Sequence, residues 1–154
     1  MSNEIYGFAD FPVGPDLPTL TDRLGNSTPL GVFQVSEDRL IGFPFDLRPT
    51  DVSFIFAIGD SKDSMNAEYI LDYQDYDPQS DIKLPINADE RLLLLAGVLS
   101  SLFVDFKCKR IAVCLTESNQ IDLIKHLNVS QITDVIKNDC SKESPPCIIY
   151  VITP

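Results

Sequence analysis

Apolar residues recur along this chain in short β-branched and aromatic runs, and one long leucine-rich run interrupts the series. The stretches Leu30–Val35, Arg39–Phe45, Val52–Ile58 and Ala67–Gln74 read as successive strands, with Ser36-Glu37-Asp38 as a turn signal, so an antiparallel meander is predicted. Val52–Ile58 is apolar at nearly every position and is expected in the sheet centre, covered on both faces. In Ala67–Gln74, two-residue periodicity sends Tyr69, Leu71 and Tyr73 to one face and Glu68, Ile70, Asp72 and Gln74 to the other, which looks outward.

The long run, Arg91–Phe106, follows Asn87-Ala88-Asp89-Glu90, a cap with acids in the first turn where the helix dipole favours them, so a buried helix is predicted. Arg110–Leu115 then reads as a strand, Ser118–Leu127 and Ser130–Asn138 as helices with serine caps, and Cys147–Ile152 as a fully apolar last strand. A strand, a helical crossover and a strand imply parallel pairing with right-handed geometry. The expected fold is α+β: a mixed β-sheet, with an N-terminal antiparallel meander and a C-terminal parallel β-helix-β unit, covered by helices. Residues 1–154 are read as a single domain. Residues 1–29, interrupted by Pro12, Pro15, Pro18, Pro29, Gly14 and Gly25, are read as an irregular lead-in packed on the core.

Composition adds charge to this picture. Residues 60–90 hold nine acids against Lys62 and Lys83, a net −7 of the chain's −11. Residues 1–106 have six basic and eighteen acidic residues, net −12, whereas 107–154 have six and five, net +1. Such a field repels nucleic-acid phosphates and anionic membrane surfaces, and it attracts a cationic protein. The N-terminus lacks the basic head and apolar core of a secretory signal, and a cytoplasmic protein is expected. Cys108, Cys114, Cys140 and Cys147 form no C-x-x-C pair and have one histidine to join them, so they are read as reduced thiols, Cys114 as a core residue. Cys140 and Cys147 flank a loop and are the pair that oxidation would join.

His126 has Asp122 four residues before it, one face of a helix, which reads as a surface pair. Asp72, Asp75, Asp77 and Asp81 fit no EF-hand spacing, and no phosphate-binding glycine loop occurs, so neither a metal nor another cofactor is expected. Phe56-Ala57-Ile58-Gly59-Asp60-Ser61 resembles, over six residues, the nucleophile block of the GDSL esterases. That resemblance implies a serine working with an Asp-x-x-His block near the C-terminus. No such block occurs here, and Asp122 to His126 has a different spacing, so Gly59-Asp60-Ser61 reads as a strand-ending turn and no catalytic residue is assigned.

The leading reading is an acidic protein-binding inhibitor, similar in size, charge and lack of catalytic chemistry to bacterial immunity proteins that neutralise basic toxins or nucleases. Its partner-binding residues are Asp60, Asp63, Glu68, Asp72, Asp75, Tyr76 and Asp77, acids to steer encounter and an aromatic to supply contact area. The alternatives are an acidic nucleic-acid mimic of the anti-restriction type, a small serine hydrolase using Ser61, and a structural or adaptor domain.

Overall fold

In the computed structural model, residues 4–50, 52–116, 121–142 and 147–154 are described. Its elements are β1 (Glu4–Asp10), α1 (Leu17–Asn26), β2 (Gly31–Gln34), β3 (Ser53–Gly59), α2 (Glu68–Leu71), α3 (Ala88–Val104), β4 (Arg110–Thr116), β5 (Leu123–Asn128), α4 (Ile132–Cys140) and β6 (Ile148–Thr153). The strands form one mixed sheet in the order β2-β3-β1-β4-β6-β5. All neighbours pair antiparallel except β5 and β6, which run parallel with Leu123 opposite Ile148.

Strand alternation divides the sheet into two faces. Ile5, Phe54, Phe56, Ile58, Val113, Leu115, Ile148 and Tyr150 belong to one apolar cluster with Leu20 and Leu24 of α1, Leu92, Leu95 and Leu99 of α3, and Ile132 and Ile136 of α4. Phe8, Ala112, Cys114, Ile149 and Val151 belong to a second, on the opposite face, closed by Leu40, Phe43 and Leu47 of a strap formed by residues 36–50. A helical layer thus covers one face and an irregular strap the other.

The α+β class and the mixed sheet are as the sequence predicts, while several elements differ. Residues 1–29 are not irregular throughout: they supply β1, which pairs with β3 and β4, and α1, whose N-cap Asp16 accepts the Thr19 N–H at 3.3 Å with Pro18 in the first turn. Arg39–Phe45 is not a strand. It lies in the strap, beginning on the last residue of a 3-10 turn at Glu37–Arg39, and Pro44 removes a donor a ladder would use. Ala67–Gln74 is not a strand either, because Asp60 draws its start into the single turn of α2. The parallel pair is β5 with β6, whereas β4 runs antiparallel to β6. The helix expected at Ser118–Leu127 is replaced by β5 from Leu123 on, and its cap, Ser118, lies outside the described residues.

α3 follows its sequence signals closely. Asn87 accepts the Glu90 N–H at 3.2 Å, and Asp89 and Glu90 occupy the first turn. Beyond Val104 the chain turns through Lys107, whose φ of 59° is left-handed, and the Cys108 N–H bonds the Leu102 carbonyl at 3.0 Å.

Two buried carboxylates fasten the frame. Asp10 accepts from Arg110 Nε at 2.9 Å and from the Thr50 N–H at 3.1 Å, tying the end of the strap to the sheet. Asp139 of α4 accepts from Lys125 of β5 at 2.7 Å and from the Tyr150 hydroxyl of β6 at 2.8 Å, linking all three parts of the β5-α4-β6 unit. Burial works to raise both carboxyls, but hydrogen bonds and the adjacent cations outweigh it and hold them below the ordinary aspartate value. Among the described residues no helix is long and apolar enough to cross a membrane.

Candidate functional site

The acidic segment is organised by a cation that sequence reading left inside a helix. Arg91, in the first turns of α3, is fully buried, and all five of its N–H donors go to main-chain carbonyls. Nε donates to Tyr69 at 2.7 Å, Nη1 to Pro85 and Ile86 at 2.8 Å each, and Nη2 to Asp72 at 3.0 Å and Gln74 at 2.5 Å. A planar five-donor fork suits this task because it satisfies carbonyls that an irregular loop cannot pair among themselves. Its one sequence signal was a basic residue at the start of a leucine-rich run.

Around this hub several of the candidate acids serve the chain's own backbone. The Asp60 carboxylate accepts the N–H groups of Tyr69 and Ile70 at 3.1 Å each, capping α2, and desolvation raises its pKa despite those bonds. Asp75 accepts the Ala88 N–H at 2.8 Å, at the positive end of α3. Asp77 accepts the Gln79 N–H at 2.8 Å, an Asx turn. Asp72 accepts the Tyr76 hydroxyl at 2.7 Å; burial first, and this bond second, push the Tyr76 phenol up to about 12. Tyr76 also meets Tyr69 edge-on at 5.5 Å between centroids, so it is a packing residue as well as a candidate contact.

Asp63 and Glu68 are exposed, as are Asp75 and Asp77 in spite of their backbone bonds, and Asp81 and Glu90 extend the exposed set. Tyr69 and Tyr73, expected in the core, are each more than one-third exposed. Tyr73 donates to Asp89 at 2.6 Å, and Lys137 of α4 pairs with the same carboxylate at 3.0 Å. That is the segment's ion pair among the described residues. Lys62 is turned away: its ammonium reaches the carbonyls of Gly25, Thr28 and Leu30 around the end of α1. Lys83 is exposed. The local lysines therefore leave most of the negative charge uncompensated.

The remaining motifs have structural explanations. Gly59 precedes a turn in which Ser61 and Ser64 pair, and a Cβ there would overlap the Ser64 carbonyl oxygen. The Ser61 hydroxyl accepts the Asp63 N–H at 3.3 Å. His126 sits on β5, four strand positions from β3, a separation of about 19 Å, so it is no base for Ser61. Asp122 accepts the Cys147 N–H at 2.8 Å rather than forming a helical pair with His126. Among the described residues no three of His, Cys, Asp and Glu converge as a metal site, and none of the four cysteines is in a disulfide.

The arrangement as a whole is a set of carboxylates and aromatic edges on a loop held by Arg91. No family model matches the chain, and neither the curated proteins nor the solved structures contain a match to it.

Proposed function

We propose that the chain is a protein-binding inhibitor that engages a basic partner through residues 60–90, in the manner of an immunity protein acting on a cationic toxin or nuclease. The observation that carries this reading is the uncompensated charge on a loop whose backbone is clamped by Arg91. A rigid acidic surface loses little entropy on docking and accelerates encounter with a cation. Asp63, Glu68, Asp77 and Asp81 are the contact acids, with Tyr69 and Tyr73 supplying aromatic area. Asp60, Asp72 and Asp75 hold the loop in shape.

The test uses the triple reversal Asp63→Lys, Glu68→Lys and Asp81→Lys, which spares the loop's internal bonds. A basic partner captured from the source cells and purified should associate with this variant at least about tenfold more slowly at low salt, the difference fading as salt rises. Its enzymatic or toxic activity should titrate to zero at one equivalent of the unaltered protein. Equal association rates would remove the interface, and full activity in the saturated complex would remove inhibition.

A further inference from the structure

The outward face of α3 is uncharged where a surface helix ordinarily carries its charges. Leu92, Leu95, Leu99 and Leu102 pack into the core cluster beneath the helices. Glu90, Leu93, Gly97, Ser100 and Val104 recur at helical spacing on the opposite side, with Leu93 53% and Val104 64% exposed. From Leu92 to Val104 there is no charged residue, in a chain of net charge −11. Charge returns at the two ends of this line, with opposite sign. At the N-terminal end lies the loop of residues 68–90, held there by the bond from the Ala88 N–H to Asp75. Its seven acids stand against Lys83, Arg91 and Lys137, a net −4, and Glu90 is exposed at the edge of the uncharged line. At the C-terminal end Arg23 of α1 lies over the Phe106 ring at 4.7 Å, and Lys107 and Lys109 are exposed. These three cations stand against Asp22 and Asp105, a net +1.

We propose that this face pairs with the same face of a second copy of the chain, the two α3 helices running antiparallel about a two-fold axis between residues 98 and 99. In that register Leu93 meets Val104 of the second copy, Gly97 meets Ser100, and Glu90 meets Lys107, each contact occurring twice. The small side chains of Gly97 and Ser100 let the helix axes approach closely, and the Leu93 and Val104 pairs on either side of the crossing lose their contact with water. The antiparallel arrangement sets each acidic end beside the other copy's cationic end and opposes the helix dipoles, whereas a parallel pair would bring like ends together. The −11 carried by each copy is screened over about 8 Å at physiological salt, so the charges bordering the contact decide its sign. An anionic membrane would be repelled by the acidic end, and a uniformly basic surface by the cationic end. An uncharged centre between ends of opposite sign is matched by its own reversed copy. The pairing needs only the chain itself and does not rest on the function proposed for residues 60–90.

The experiment follows the purified chain by sedimentation velocity at physiological salt, from micromolar to submillimolar concentration. The expected result is a reversible monomer–dimer equilibrium that stops at twice the 17.2 kDa chain mass. Leu93→Glu and Val104→Glu should each weaken the dimer by about thirtyfold or more, with unchanged far-ultraviolet dichroism because both side chains are exposed in the single chain. Glu90→Lys and Lys107→Glu should each weaken it by about tenfold, and the chain carrying both exchanges should recover to within about threefold of the unaltered protein. A chain that stays monomeric over the whole range overturns the proposal, as does assembly that continues beyond two. So does a dimer indifferent to Leu93→Glu and Val104→Glu, whose contact lies elsewhere, or one that the double exchange fails to restore, whose helices are not antiparallel in this register. The association of residues 60–90 with a basic partner is read in a separate measurement, so either reading can fail without the other.

Discussion

The guanidinium of Arg91 lies 4.8 Å from the centroid of the Tyr76 ring while its edge is saturated by five carbonyls, so one buried side chain supports the acidic loop from both its plane and its rim. The cation has no carboxylate within ion-pair distance among the described residues, and its charge is balanced by oriented peptide dipoles.

Removing Arg91 should therefore dismantle the loop. Arg91→Met leaves five carbonyls without their donors and is expected to lower unfolding free energy by about 3 kcal/mol or more in urea titrations. Arg91→Lys should recover little, since three ammonium donors on a flexible stem cannot reproduce the fork. Both variants should lose near-ultraviolet tyrosine dichroism. A cost under about 1 kcal/mol for Arg91→Met would show that the loop is held by something else.

Acid should weaken the fold through Asp10 and Asp139. Both carboxyls are held below the ordinary value near 3.9, so the unfolded chain binds protons before the folded one does. Their stabilisation is complete above that value and declines as pH falls through the lower folded values. Asp139→Asn should flatten this acid limb in denaturation curves taken between about pH 5 and pH 2. Asp60 acts with the opposite sign, because its raised pKa makes protonation favour the folded state, and its contribution is lost as pH rises through the folded value. An acid limb unchanged by Asp139→Asn would remove Asp139 as its source.

Two glycines should respond oppositely to alanine. At Gly59 the new methyl meets the Ser64 main chain, and a cost of about 1–3 kcal/mol is expected from overpacking. At Gly97, inside α3, nothing lies within 4 Å of the added Cβ, so the gain in helix propensity should stabilise by about 0.5–1 kcal/mol. Thermal melts of the two variants check the difference, and a stabilising Gly59→Ala would contradict the crowding.

Thiol reactivity separates the cysteines. Burial pushes the Cys108 and Cys114 thiols up to about 12 and that of Cys140 to about 11, while Cys147 is half-buried. At pH 8 an aromatic disulfide reagent should label Cys147 first, with the other three following only in denaturant. Rapid labelling of all four in the folded protein would show that the sheet opens readily.

The sequence made the long helix, β2, β3, β4 and β6 legible, because capping residues and uninterrupted apolar runs act locally. The misses have specific causes. Proline and glycine around α1 signalled breaks, although Asp16 and Pro18 also fit an N-cap and first turn. Leu123–Asn128 carries a helix-like Asp122–His126 spacing, but pairing with β6 and the Lys125–Asp139 bond draw it into the sheet. In the acidic segment, exposure of Asp63, Glu68 and Asp77 was readable from charge density. The internal work of Asp60, Asp72 and Asp75 was not, since their backbone partners come from loops or helix ends that no periodicity specifies.

The strand order has a bearing on how the sheet is joined. β6 is the last strand in sequence but lies between β4 and β5, and it is the sheet neighbour of β5. β5 therefore joins the sheet through β6, and Ile148–Thr153 both completes the ladder of Leu123–Asn128 and covers the edge of β4. Deleting those six residues would accordingly remove β6 and leave β5 without its strand partner among the described residues.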